Sequence, residues 1–118
     1  MRILPFSLLC AALAAAASPA SAQALNFTIV NNTEMAISGL KVRRSGSDQW
    51  APLAVTPLPL ASTGGQAAVQ FSDPDCAFDL AATLPGGQEV VWQDVNLCQT
   101  KVVTLNRNAR GELWADYQ

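Results

Sequence analysis

The chain has 118 residues, with nine acidic and seven basic side chains, three cysteines and no histidine. The absence of histidine removes the commonest general base and the commonest transition-metal ligand. A net charge of −2 with no run of like charge argues against nonspecific nucleic-acid binding.

Residues 1–22 read as an export signal: a positive start at Met1-Arg2, an apolar alanine-rich run, and the small-residue cleavage pattern Ala20-Ser21-Ala22. Ala22-Gln23-Ala24 is a second acceptable site. A lipid anchor on Cys10 is disfavoured, because Leu9 directly before it is a poor cleavage residue. Cleavage after Ala22 leaves 96 residues, a net charge of −3 without Arg2, and an even pair of cysteines. That length suits one domain, 23–118, and an exported chain with two cysteines most simply forms one disulfide.

The first predicted strand runs from Leu25 to Val30, with Phe27 and Ile29 on one face. Asn31-Asn32-Thr33 is expected to end it as a turn. Asn26 and Asn31 each open an N-x-T triplet, read here as strand and turn residues because the signal has a bacterial character. A second strand is expected over Met35 to Arg44. Ile37 falls out of phase with Leu40 and Val42, which predicts a bulge at Ser38-Gly39. Arg43-Arg44 reads as a solvated strand end, and Trp50 as a packing residue of the core or its rim. Ala51 to Ser62, carrying Pro52, Pro57 and Pro59, should be extended without being a central strand. Gln66 to Ser72 alternates cleanly, with Ala67, Val69 and Phe71 inward.

Cys76 to Leu84 and Gln88 to Val95 form a predicted hairpin about Pro85-Gly86-Gly87. Pairing Leu84 near Gly87 or Gln88 puts Cys76 opposite residue 95 or 96. A bulge or bend must then bring Cys98 back into bonding range. Lys101 to Arg107 and Glu112 to Tyr117 are the last strands, the final one at a sheet edge. About seven short strands separated by turn signals point to an all-β antiparallel sandwich of the immunoglobulin-like kind, with an open barrel as the alternative.

The residues offer little catalytic chemistry. With Cys76 and Cys98 bonded, no thiol nucleophile or zinc site remains. No phosphate loop, dinucleotide fingerprint or G-x-S-x-G is present. Asp73, Asp75 and Asp79 form a minor candidate calcium site through carboxylate oxygens, although their spacing does not fit an EF-hand and aspartate also serves turns.

The pattern carried by Asn31 to Thr33, Ile37, Leu40, Val42, Asp48, Trp50, Cys76-Ala77-Phe78-Asp79-Leu80, Gly86 and Leu97-Cys98 resembles a family of small exported bacterial β-proteins of unknown function. The chain departs from that pattern at Ala51-Pro52-Leu53 and at Ala81. The resemblance implies export, the disulfide hairpin and the sandwich, and adds no mechanism. The expected function is that of an exported, non-enzymatic β-sandwich without a cofactor, periplasmic or secreted, which binds a protein or an envelope component. The alternative is a periplasmic inhibitor, or a module for a small ligand or carbohydrate. No nucleic-acid partner and no stable membrane insertion are expected.

Overall fold

Period-two alternation governs almost every apolar stretch after residue 24, and it sorts these stretches into two facing sheets. The computed structural model describes residues 24–98 and 100–118. The expected export signal, residues 1–22, and Cys10 lie outside the described residues. One sheet has the order β4 (Ala54–Thr56), β5 (Gly65–Ser72), β1 (Ala24–Asn32), β8 (Val102–Arg107), β9 (Leu113–Tyr117). The other has the order β3 (Ala51–Pro52), β2 (Gly39–Arg44), β6 (Ala77–Thr83), β7 (Glu89–Asn96). The sheets keep free edges and form a sandwich, so the barrel alternative does not apply. The seven expected strands are present, and β3 and β4 are short pieces cut from the proline-rich stretch that was expected to be extended.

Between the sheets lies one continuous core. Phe27, Ile29, Val69, Val103 and Leu105 from the first sheet meet Leu40, Val42, Leu80, Trp92 and Val95 from the second. Side chains of this size each contribute about 1.5–3 kcal/mol when taken fully from water. Phe71 meets Phe78 edge-to-face, with centroids 4.8 Å apart, at the end of the core near the disulfide. The indole N–H of Trp92 donates across the sandwich to the carbonyl of Asn106 at 3.1 Å, so the largest core residue also ties the sheets together by a polar bond.

Three local expectations need correction. The first strand does not stop at Val30: it continues to Asn32, and Asn31 is completely buried. Its amide donates to the carbonyls of Met35 (2.8 Å) and Ala61 (2.9 Å), while its oxygen accepts the Thr33 N–H at 3.0 Å. Asn31 thus replaces several backbone bonds that the reversing chain cannot make for itself. The expected bulge at Ser38-Gly39 is a change of partner instead. Ile37 bridges Leu60, and β2 begins at Gly39 against Thr83 of the other sheet. Finally, the sheets are antiparallel except at one place: β1 lies parallel to β8, from Thr28↔Val102 to Asn32↔Asn106.

Candidate functional site

The residues singled out from sequence fall mostly into structural roles. Cys76 and Cys98 are bonded, with Cα atoms 5.0 Å apart. The hairpin reaches that geometry through the expected bulge. Phe78 pairs with Val95 but Leu80 pairs with Trp92, so Asp79 alone faces Gln93 and Asp94. Asp94 takes the left-handed conformation (φ 54°), and its N–H donates to Asp79 Oδ1 at 3.0 Å.

Asp79 is 5 % exposed, unusual for a carboxylate on the outer face of a sheet. Arg43 Nε donates to its Oδ2 at 2.9 Å, and the guanidinium lies 4.3 Å from the ring centre of Trp50, so the aromatic and the acid flank one cation. Burial pushes the Asp79 carboxyl up, but the Asp94 N–H, Arg43 and the Ser45 hydroxyl together outweigh it and hold the group below its ordinary value. Trp50 is half-buried against this ladder, at the rim rather than in the core. Asp73 and Asp75 are gripped instead by Arg44, at 3.2 and 3.1 Å. The three candidate calcium ligands are therefore divided between two arginines. Among the described residues, no group of three acidic, cysteine or histidine side chains comes together around a cation-sized space.

A groove of about 450 Å³ opens at this end of the sandwich, where the β3–β4 crossing passes over β2 and β5; Arg44, Gln49, Gln70 and Phe71 line it. Its walls mix aliphatic and charged groups already committed to one another.

The surface with uncommitted chemistry lies on the outer face of the five-stranded sheet. The registers put Asn32, Asn106 and Trp114 in one row across β1, β8 and β9, and Val30, Thr104 and Asp116 in the next. Trp114 is 46 % exposed. Beside it Asn106 is buried and fixed: it accepts from Asn32 Nδ2 at 2.6 Å and donates to Asp116 Oδ2 at 3.1 Å. Among the described strand residues of this face, Asp116 is the one charge; besides Trp114, the others are Asn, Thr, Gln, Val, Ala and Ser. A shallow depression of about 490 Å³, lined by Asn26, Thr28, Ala68, Gln70 and Lys101, lies on the same face. From strand spacing and rise it sits roughly 20 Å from Trp114. An exposed indole beside a pinned amide–carboxylate network, on a sheet face with little charge, can stack on an apolar ring face while its polar neighbours meet hydroxyl groups.

Sequence reading did not single out Trp114, Tyr117, Asn106 or Asp116, and took Asn32 as a turn residue. The usable signal was parity. Leu113, Ala115 and Tyr117 take the inward positions of β9, which leaves Trp114 on the polar side with Asp116. The Asn32–Asn106 contact depends on the parallel pairing and has no local signature.

No family model and no curated protein matches the chain. Among solved structures, the NMR structure of a protein from Eubacterium rectale is similar, with a TM-score of 0.52 and 15 % identity over 80 % of this chain and 87 % of that one. At that identity the likeness speaks for the fold alone.

Proposed function

We propose that the protein is an exported, non-enzymatic binding module, periplasmic or secreted, which takes hold of an envelope component through the outer face of its five-stranded sheet, and that the component is a neutral saccharide. The observation that carries this reading is the exposed Trp114 set beside the hydrogen-bonded Asn32–Asn106–Asp116 network. A sugar ring offers an apolar C–H face to the indole and a rim of hydroxyls to the fixed amide and carboxylate. A network pinned before binding loses little side-chain entropy on contact. The near absence of charge on the face suits an uncharged polymer better than an acidic one. The disulfide and the resemblance noted above support export. Among the described residues, no helix is long and apolar enough to cross a membrane.

Titration with a panel of neutral oligosaccharides, followed by tryptophan fluorescence and by retention on the insoluble polymers, tests the reading. Binding should be weakened at least about tenfold by Trp114→Ala, a loss of roughly 1.4 kcal/mol. The thermal midpoint should hardly move, because the side chain is exposed. Trp50→Ala should leave binding intact. Retention that Trp114→Ala does not alter, or that only charged polymers compete, would overturn the proposal.

A further inference from the structure

The four sheet edges are not equally defended. Strands β3 and β4 are two and three residues long and sit in a stretch with Pro52 and Pro57. Strand β7 is broken by the bulge at Asp94, and its outward Asn96 N–H is capped by the Tyr117 hydroxyl at 3.1 Å. Short strands, prolines, bulges and covers are the usual means of blocking edge-to-edge pairing. Strand β9 has none of them. Its five residues contain no proline, lysine or bulge.

The hydrogen-bond phase of β9 follows from its pairing. Asn108 bonds Glu112, and Val102 bonds Gln118, so the even-numbered residues of β9 direct their N–H and C=O groups to β8. Leu113, Ala115 and Tyr117 therefore direct theirs to the open side. We infer that this edge pairs with the same edge of a second copy, antiparallel and centred on Ala115, so that the two five-stranded sheets become one.

The edge is self-complementary in this register. Ala115 faces its own equivalent and Leu113 faces Tyr117, so all three outward N–H and C=O pairs are satisfied at once. Trp114 faces Asp116 of the other copy, and no acidic residue faces another across the junction. A two-fold axis normal to the sheet keeps both outer faces on the same side. The two indoles then lie diagonally across the junction, about 8 Å apart at Cα.

Sedimentation of the mature protein from micromolar to millimolar concentration, with no saccharide present, tests the inference independently of the ligand reading. Wild type should show a reversible monomer–dimer equilibrium. Ala115→Pro removes only an N–H that points away from β8, a position where an edge strand tolerates proline, and should weaken the dimer at least about tenfold. Should that variant fail to fold, charge at position 114 decides the matter, because the side chain there is exposed. Trp114→Asp sets two pairs of like charges across the junction and should weaken the dimer roughly tenfold, whereas Trp114→Lys sets two opposite pairs and should preserve it. A monomer at millimolar concentration, or a dimer that Trp114→Asp and Trp114→Lys weaken alike, would overturn the inference.

Discussion

Asp79 shows how one side chain can anchor a sheet that sequence patterning alone would leave irregular. It sits on the polar parity of β6, yet it is buried because Arg43 lies over it and Trp50 lies beside Arg43. Its role is to satisfy the bulge, where the Asp94 N–H has no cross-strand carbonyl. The pH dependence follows from the direction of its shift. A carboxyl held below its unfolded value stabilises the fold fully above about pH 4, and that contribution is lost as pH falls through the lower folded value. Asp79→Asn should therefore cost about 2 kcal/mol near neutrality, since the amide keeps the bond from Asp94 but loses the charge partner. It should also flatten the acid side of the stability curve. Urea midpoints of both proteins between neutral and acid pH measure the difference, which should shrink as the pH falls.

Two connections carry disproportionate weight among the elements. The turn before β5 brings the Ala61 backbone against Gly65, where Asn31 can reach the Ala61 carbonyl. A Cβ on Gly65 would overlap Ala61 N and stand 2.6 Å from Ala61 O, both backbone atoms. Gly65→Ala should cost about 2–3 kcal/mol. Gly64→Ala, with positive φ but open space, should cost about 1 kcal/mol. Thermal midpoints of the two variants would rank them. The second connection is the β6–β7 hairpin with its disulfide. Replacing both Cys76 and Cys98 by alanine should remove about 2–4 kcal/mol and lower the midpoint by on the order of 10–25 °C, while the sandwich still folds. Calorimetry of oxidised and doubly substituted protein checks this.

These two connections also mark how far the sequence could be read. The hairpin was legible because its alternation, its Pro-Gly-Gly turn and the offset of its cysteines are all local, and together they required a bulge or bend, which the structure puts opposite Asp79. Asn31 was legible only as a turn residue: its bonds to Thr33 and Met35 are local, whereas its place in the strand and its bond to Ala61 are set by tertiary geometry. The phase slip after Ile37 was visible. Its cause was not, since a bulge and a change of pairing partner leave the same mark in a periodic pattern.

Across the whole molecule, the arrangement divides labour between the two outer faces. The four-stranded sheet covers itself with the Lys41–Glu89 pair, the Arg43–Asp79 pair and Trp50. The five-stranded sheet presents mostly neutral polar and small groups, one indole and the Asp116 carboxylate. The exchange of strands between the sheets makes both faces depend on residues distant in sequence, and β1 is the extreme case. It sits between β5 and β8, and its parallel partner follows it by 74 positions, from Thr28 to Val102. That spacing orders the assembly in time. The hairpin of β6 and β7 can form as soon as it emerges, but the centre of the larger sheet must wait for the last strands of the chain. Under the export proposed above, this order has a consequence. A chain threading a membrane pore N-terminus first would not close its larger sheet until almost all of it had crossed, so the contact that waits for the last strands would also keep the chain threadable.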